Sequence, residues 1–342
     1  MKDESYRFGL NAFKVLGGSF AMAKYIAKEM GKDVSEMTYD YLTSKKFRDD
    51  FGQATFFTAT DGNHGRGVAW AANKLGQKAV VHMPKGSTQT RFDNIAKEGA
   101  SVTIEELNYD DCVRLAAKEA AETPHGVIVQ DTAWDGYEEI PSWIMQGYGS
   151  MAGEAAEQLR EVEVNRPTHV FVQAGVGSLA GGVVGYFANL YPNNPPKFIV
   201  MEAGAADCLY KGAEAGDGEP RIGGGDLQTI MAGLACGEPN TIGWDILRNH
   251  VSAFISCPDW VSAKGMRMLA APVKGDPSVT SGESGAVGMG VISSIMTDDA
   301  YKELREALEL DNSSQVLMFS TEGDTDPDKY KKIVWGGEYP TV

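Results

Sequence analysis

The sequence has few cysteines, few histidines and a deficit of positive charge, and each shortage excludes a class of protein. Its 342 residues include four cysteines without a Cys-x-x-Cys pair and five widely separated histidines, so no zinc-binding pattern is present. Lys and Arg number 31 against 47 for Asp and Glu, which gives a formal net charge of −16. This excess repels phosphate backbones and anionic membranes, and no local basic patch offsets it. We therefore expect neither nucleic acids nor membranes as partners.

Apolar runs of membrane-spanning length are also missing. The first five residues are mostly charged or polar, and they lack the apolar segment of a signal peptide. Hydrophobic residues make up 43% of the chain and charged residues 23%, which is enough apolar material for a sizeable core. We therefore expect a soluble, cytoplasmic protein, and the length predicts about two domains.

Short apolar runs alternate with helix-forming stretches along most of the chain. We predict strands at 54–58, 78–82, 100–104, 126–129, 168–173, 197–201 and 315–320. The predicted helices are 19–30, 35–51, 65–75, 88–97, 109–122, 143–161, 179–190, 242–250, 260–269 and 286–296, and 204–225 is predicted to be rich in loops. Such alternation is typical of βαβ units. We therefore predict an α/β fold with two lobes, each a mainly parallel sheet flanked by helices.

Lys14 is the first candidate for chemistry. It lies among the apolar residues Phe13, Val15 and Leu16, surroundings that would lower the pKa of its ammonium group and favour Schiff-base formation. The alternative is a surface lysine whose stem packs on apolar neighbours, and the local sequence alone favours that alternative.

A second candidate is the segment Asp61-Gly62-Asn63-His64-Gly65, which lies between a predicted strand and a predicted helix. Backbone amides at a helix start can bind an anion such as a carboxylate, and Asn63 adds a side-chain donor. Ordinary turn chemistry fits the same residues.

A third candidate is Ala174-Gly175-Val176-Gly177-Ser178, which also follows a strand and precedes an apolar helix. Its glycines would let backbone amides approach a phosphate at the positive end of the helix. Together with Ala180 and Glu202 it also fits a dinucleotide-binding fingerprint, so these residues alone leave the kind of phosphate open.

Taken together, these segments resemble the motifs of the diaminopropionate ammonia-lyases, which belong to the fold type II, tryptophan-synthase-β-like, pyridoxal-phosphate enzymes. Residues 2–14, Lys-Asp-Glu-Ser-Tyr-Arg-Phe-Gly-Leu-Asn-Ala-Phe-Lys, resemble the lysine segment of that family. Thr60-Asp61-Gly62-Asn63-His64-Gly65 is similar to the substrate loop Ser-Ser-Gly-Asn-His-Gly, and 174–178 to the phosphate loop. Thr321-Glu322-Gly323-Asp324 lies where serine and threonine dehydratases have Ser-Gly-Gly-Asn. The resemblance covers essentially the whole chain and disfavours the dinucleotide interpretation.

The resemblance implies a role for each matched residue. Lys14 would bind pyridoxal 5′-phosphate covalently, Asn63 would bind its ring hydroxyl and Thr321 would face its pyridine nitrogen. The phosphate would be held by Gly175, Val176, Gly177 and Ser178. The substrate would be contacted by Thr60, Asp61, Gly62 and His64.

Two carboxylates are the candidate bases. Asp61 stands where dehydratases have Ser, and a carboxylate can remove a Cα proton and attract a second ammonium group. Its structural alternative is a helix cap. Asp131, at the end of a predicted strand, resembles the second catalytic carboxylate of the family. The implied function is α,β-elimination of both enantiomers of 2,3-diaminopropionate to pyruvate and ammonia. The alternatives are a serine or threonine dehydratase, and an inactive relative that binds the cofactor or an amino acid.

The resemblance also implies the organisation of the molecule. We expect a large cofactor-binding domain of residues 1–24 and 144–342, a small substrate-loop domain of residues 25–143, and a homodimer. The family has roughly sixty residues before its lysine segment, far more than a connecting loop. Here Met1 adjoins that segment, so we expect that the chain is a fragment, that its start is misassigned or that one lobe lacks a sheet edge, and that its stability and activity are reduced. Cys208 and Cys236 would lie on the cofactor side of the sheet and could pair, although free thiols are expected in the cytoplasm.

Overall fold

The computed structural model describes residues 1–341 and contains two parallel sheets. Its strands are β1 (Lys2–Asp3), β2 (Thr55–Ala59), β3 (Lys78–Met83), β4 (Ser101–Ile104), β5 (Gly126–Ile128), β6 (His169–Gln173), β7 (Lys197–Ala203), β8 (Val251–Cys257) and β9 (Val316–Ser320). One sheet has the order β4-β3-β2-β5 and the other the order β1-β9-β6-β7-β8.

Fourteen α-helices connect and cover these strands within the described residues. They are α1 (Val15–Glu29), α2 (Tyr39–Leu42), α3 (Lys45–Phe51), α4 (Asn63–Lys74), α5 (Gln89–Ala96), α6 (Tyr109–Glu122), α7 (Glu139–Glu161), α8 (Ser178–Leu190), α9 (Cys208–Ala215), α10 (Thr241–His250), α11 (Asp259–Ala270), α12 (Glu283–Thr297), α13 (Lys302–Leu308) and α14 (Pro327–Val334). Between residues 1 and 341, no helix is both long and apolar enough to cross a membrane.

The chain forms two compact units, one of residues 14–148 and the other of residues 1–13 with 149–342. In the first unit, β2 lies between β3 and β5 and buries Phe56 and Phe57. A strand that is paired on both edges and covered on both faces favours apolar side chains, which fits the two phenylalanines, and the buried Thr58 hydroxyl is satisfied by donating to Gln130 Oε1. Helices α4 and α6 pack on this sheet. The polar Thr60–Gly65 segment begins immediately after β2 ends, at the carboxyl edge of the sheet.

In the second unit, β6 lies between β7 and β9, and all five of its residues are buried. Phe171, Ile199 and Met201 from this sheet share one apolar core with side chains of α11 and α12, while α8 also packs on β6. The short strand β1 pairs with β9 at the edge of the sheet, through Lys2 opposite Phe319 and Asp3 opposite Ser320. The assignment of cofactor binding to one unit and of the substrate loop to the other stays a prediction.

The predicted alternation of strands and helices is confirmed, with some local differences. The predicted helix 35–51 is wrong as one element, because the side chains of Thr38 and Ser44 each start a new helix by accepting a hydrogen bond from a backbone amide. The predicted loop region 204–225 contains α9, and β1, β8, α13 and α14 were not predicted. Strand β8 lies at the edge of its sheet and is mostly half-buried, so its sequence lacks the apolar run of a central strand.

Candidate active site

Lys14 immediately precedes α1, and the chain before it is fixed to the segment that follows β9. Phe13 donates its backbone N–H to the carbonyl of Thr321, and Ala12 forms an isolated antiparallel bridge with Glu322. The Lys14 ammonium group forms an ion pair with the carboxylate of Asp131. Lys14 is therefore a largely buried lysine with an anionic partner, whereas the sequence suggested purely apolar surroundings.

Asp131 lies beyond the end of β5 and is almost fully buried. Burial opposes its ionisation, but the nearby charge of Lys14 and the hydrogen bond that Lys14 donates outweigh burial and lower the pKa of Asp131 to about 2. The hydroxyl of Tyr109 lies 3.5 Å from Asp131 Oδ1, and Gln130 Nε2 donates to the Tyr109 hydroxyl over 2.8 Å. Asp131 is thus held as an ionised carboxylate by a cation on one side and a polar network on the other.

His64 belongs to the same cluster. It is buried, its Nε2 lies 2.8 Å from the carbonyl oxygen of Val129, and its Nδ1 lies 3.9 Å from Asp131 Oδ2. Burial lowers the pKa of His64 despite the attraction of Asp131. A neutral ring that donates from Nε2 to Val129 fits this geometry. The predicted contact of His64 with a substrate stays a prediction.

The loop between β2 and α4 is held by Thr60. Its buried hydroxyl accepts hydrogen bonds from the amides of Gly62 and Gly65, at 2.9 and 3.1 Å. Asn63 is the first residue of α4 and is half-buried. The Asp61 carboxylate instead contacts Arg91, with Oδ2 lying 3.1 Å from Nη1. The structure thus shows Thr60 binding the amides of the loop and Asp61 paired with a cation.

In the other unit, the segment after β6 forms a glycine-lined cradle at the start of α8. Gly177 is the residue that directly precedes α8. Its φ of +99° is a left-handed conformation that favours glycine. A Cβ on Gly175 would lie 3.2 Å from both the carbonyl oxygen of Gly233 and the Cα of Leu234, so a side chain there would be crowded. Val176 and Ser178 are buried, and Asn240 bonds to both the Val176 carbonyl and the Ser178 hydroxyl. A helix N-terminus lined by small residues fits a phosphate group.

Thr321 follows β9 and is buried. Its hydroxyl oxygen accepts a 2.7 Å hydrogen bond from the side-chain Nε2 of Gln173, which is the last residue of β6. Because the oxygen is the acceptor in this bond, the hydroxyl proton is left to be donated elsewhere. Thr321 therefore suits an unprotonated ring nitrogen, and it cannot keep such a nitrogen protonated as a carboxylate would.

Glu202 does not fit the dinucleotide interpretation. Its buried carboxylate accepts the backbone N–H groups of Leu209 and Tyr210 at the start of α9, at 2.9 and 2.7 Å. Burial raises the pKa of Glu202 to about 8, although these two hydrogen bonds oppose the shift. A carboxyl group used in this way is not available to a ribose hydroxyl.

The four cysteines are buried and none of them forms a disulfide in the part of the chain that the structure describes, so the alternative of a bridge between Cys208 and Cys236 is not what the structure shows. Burial raises the pKa of the Cys208 thiol. Several polar residues that contact the candidate groups were not predicted from the sequence: Arg91, Tyr109, Gln130, Gln173 and Asn240. Among these residues, only Gln130 could have been found from the sequence, because it directly precedes Asp131 at the end of a predicted strand.

Known proteins provide the class of this chain. The family model described as pyridoxal-phosphate dependent enzyme matches residues 1–322. The chain therefore belongs to the pyridoxal-phosphate-dependent enzymes, and the predicted fold class and cofactor are confirmed.

Two relatives with similar sequences identify the family within this class of enzymes. The chain is 54% identical over 338 residues to a diaminopropionate ammonia-lyase of Salmonella typhimurium, covering 98% of this chain and 83% of the relative. It is 50% identical over 341 residues to the Escherichia coli enzyme of the same name, covering 99% and 83%. These values place the chain in the diaminopropionate ammonia-lyase family, as predicted.

Solved structures agree. The holo form of the E. coli enzyme superposes with a TM-score of 0.90 at 50% identity, covering 100% of this chain and 84% of that one. The same enzyme in complex with D-serine gives a TM-score of 0.91 at 49% identity, with the same coverage. Maize serine racemase shares the fold, with a TM-score of 0.68 at 20% identity over 96% of this chain and 83% of that one.

Proposed function

We propose that this protein is an ammonia-lyase that converts 2,3-diaminopropionate to pyruvate with release of ammonia from both enantiomers. The observation that carries the proposal is the pair of carboxylates in residues 14–148. Asp131 is ionised beside Lys14, and Asp61 lies in the substrate loop where the dehydratases have a hydroxyl group. Elimination of an amino group needs a base at Cα, and a carboxylate supplies one whereas a serine hydroxyl supplies a poor one.

The residues present fit pyridoxal 5′-phosphate. In the unit of residues 14–148, Lys14 is an amine suited to the aldehyde. Taken by itself, the other unit has the crowded Gly175 and left-handed Gly177 as a cradle suited to a phosphate, and the Thr321 hydroxyl suited to a ring nitrogen. Asn63 is proposed to bind the ring hydroxyl. When bound, this cofactor withdraws electrons from the Cα of an attached amino acid and so makes its Cα proton removable.

The Lys14–Asp131 pair controls one proton. Lys14 Nζ donates to Asp131 Oδ2, so a proton has two defined positions in this pair. Since a protonated amine is not a nucleophile, Lys14 must give up a proton before it can attack a carbonyl group. Asp131 positions the lysine nitrogen during this change, and His64 and Tyr109 in turn position Asp131.

Asp61 is the proposed base for the D-isomer, and Asp131 or Lys14 receives the Cα proton of the L-isomer. Loss of the β-amino group as ammonia follows removal of the Cα proton. Addition of one water and loss of the second nitrogen then give pyruvate, so one diaminopropionate and one water yield one pyruvate and two ammonia. Contact of Thr60, Gly62 and His64 with the substrate belongs to the same proposal.

Ammonia and pyruvate release from D- and L-diaminopropionate tests the function, with L-serine, L-threonine and D-serine as comparison substrates. We expect both diaminopropionate isomers to be the best substrates. Faster turnover of serine or threonine would indicate a dehydratase instead. A cofactor absorption band that changes with diaminopropionate, without ammonia release, would indicate an inactive binding protein.

We further propose a cytoplasmic homodimer. Cysteines that form no disulfides among the described residues are typical of a reducing compartment, and the dimer follows from the family resemblance. Sedimentation equilibrium of the purified holoenzyme tests the assembly, and a monomer at micromolar concentration would contradict it.

A further inference from the structure

Arg91 is an unusual arginine in this protein because it is almost fully buried. Its side chain is 9% exposed, whereas that of its partner Asp61 is 26% exposed. Buried arginines are rare without an anionic partner, because an unpaired buried charge is costly. Arg91 therefore holds Asp61 from the protein interior, and the partly exposed carboxylate can still meet a small molecule.

The contact fixes Asp61 at two points. Arg91 Nη1 lies 3.1 Å from Asp61 Oδ2 and 3.3 Å from the Asp61 main-chain oxygen. One donor shared between the side chain and the main chain of the same residue restricts rotation of the carboxylate relative to the backbone. An ionised carboxylate has about four acceptor positions, so the Arg91 contact does not exhaust its capacity to take a proton.

The aliphatic stem of Arg91 is positioned as well. Arg91 lies in the first turn of α5, where its backbone N–H bonds to the hydroxyl of Thr88. Its stem packs over Gly62, where an added Cβ would come within 3.3 Å of Arg91 Cδ. The neighbour of Asp61 in the loop thus lacks a side chain at the place where the arginine crosses.

We propose that Arg91 is a positioning residue that orients Asp61 for removal of the Cα proton from the D-isomer of the substrate. The inference rests on the proposed function, since it assigns Arg91 to one of the two proton-removal steps. A base must reach its proton within about 3 Å, and a small misplacement costs up to about 100-fold in rate. The consequence is selective, because the L-isomer does not use Asp61.

The experiment compares kcat and KM for both isomers in the holoenzyme and in the variant Arg91→Gln. We expect kcat for the D-isomer to fall about 10- to 100-fold, and that for the L-isomer to change less than about threefold. Arg91→Lys keeps the charge but loses the planar group, so we expect an intermediate loss, and it serves if Arg91→Gln does not fold. In the Asp61→Asn background, Arg91→Gln should cause no further loss on the D-isomer, because the two residues then act as one unit.

A matched control exists in the same unit. Arg66 in α4 forms an ion pair with Glu98 at the same 3.1 Å, and both side chains are about as buried as Asp61, at 21% and 17% exposure. Arg66→Gln should leave the ratio of D to L turnover unchanged. Amide hydrogen exchange of residues 60–65 without substrate gives a readout independent of turnover. We expect faster exchange in Arg91→Gln and no change in Arg66→Gln.

The failures can be told apart. An active wild type with equal losses on both isomers in Arg91→Gln would mean that Arg91 binds the substrate or merely supports the fold, and would overturn the inference. Unchanged turnover of the D-isomer in that variant would also overturn it and would leave the proposed function intact. A wild type that is inactive on both isomers would remove the proposed function and the inference together.

Discussion

Asp131 and Glu202 are both buried carboxylates, one in each unit, and they ionise in opposite ways. The pKa of Asp131 is lowered to about 2, and that of Glu202 is raised to about 8. Burial acts in the same direction on both, so it does not explain the difference. Asp131 has the ammonium group of Lys14 as a partner, whereas Glu202 has the uncharged donors of two backbone amides and the Cys208 thiol, together with the repulsion of Asp207. A charged partner therefore decides which buried carboxylate can carry out proton chemistry, and Glu202 is left as a neutral cap on α9.

The largest effect expected is that of Lys14→Ala, which removes the cation that sets Asp131 apart. Activity on both isomers should be lost completely, since no other residue replaces the amine. Borohydride reduction of the holoenzyme followed by peptide mass spectrometry should show cofactor on Lys14 in the wild type and none in the variant. Lys28→Ala is the control, because Lys28 is an exposed lysine paired with Glu139. Covalent cofactor retained in Lys14→Ala would refute the assignment.

Asp61 extends the comparison to a carboxylate that is only partly buried. Asp61→Asn is nearly isosteric, and it removes both the carboxylate base and the negative charge that pairs with Arg91. We expect D-diaminopropionate turnover to fall by about 10² to 10⁴ and a measurable rate to remain on the L-isomer. Initial rates of pyruvate formation on both isomers check this. Equal losses on both isomers with the cofactor still bound would show that Asp61 recognises the substrate ammonium group, and no loss on either would leave it a structural role.

The next largest effect is the expected difference in kcat between variants of the two buried acids, one in each unit. Asp131→Asn and Glu202→Gln each replace a buried acid by its neutral amide. Since Asp131 is ionised and Glu202 is neutral below its pKa, only the first change alters the charge of the site at pH 7. We expect Asp131→Asn to lower kcat by about 10²-fold and Glu202→Gln to leave kcat nearly unchanged. Comparable losses in the two variants, measured at pH 7 with saturating cofactor, would contradict the comparison.

These contrasts also separate what the sequence predicts from what it does not. The sequence singles out Lys14 by its apolar neighbours, and Asp61 and the 174–178 loop by their place between an apolar run and a helix, in an order that resembles one family. The roles of these residues stay predictions. Arg91 was not predictable, because it lies 30 residues from Asp61 and only the packing of α5 brings the two together. The ionisation of Glu202 was likewise hidden, since it depends on the α9 amides, and α9 itself interrupts a segment rich in loop residues. Local patterns specify strand ends well, whereas electrostatic partners come from tertiary contacts.

The smallest effect concerns the pH dependence of stability. The folded-state pKa of Glu202, about 8, lies above its unfolded value, so the folded protein holds a proton that the unfolded chain has released. The contribution of Glu202 to the free energy of unfolding is fully present below about pH 4. It is lost as the pH rises toward 8, by about 1 kcal/mol per pH unit. The difference in free energy of unfolding between wild type and Glu202→Gln should therefore shrink between about pH 5 and 8 in urea titrations of the holoenzyme.

The pKa shift of Asp131 has the opposite sign. Its folded-state pKa of about 2 lies below the unfolded value, so its contribution to stability is present above about pH 4 and is lost only as the pH falls toward 2. Over pH 5 to 8, roughly, both states of Asp131 are ionised, and the difference between wild type and Asp131→Asn should stay flat. A flat difference for Glu202→Gln as well would mean that the α9 amides keep Glu202 ionised, and that a backbone cap can replace a cation as the partner of a buried carboxylate.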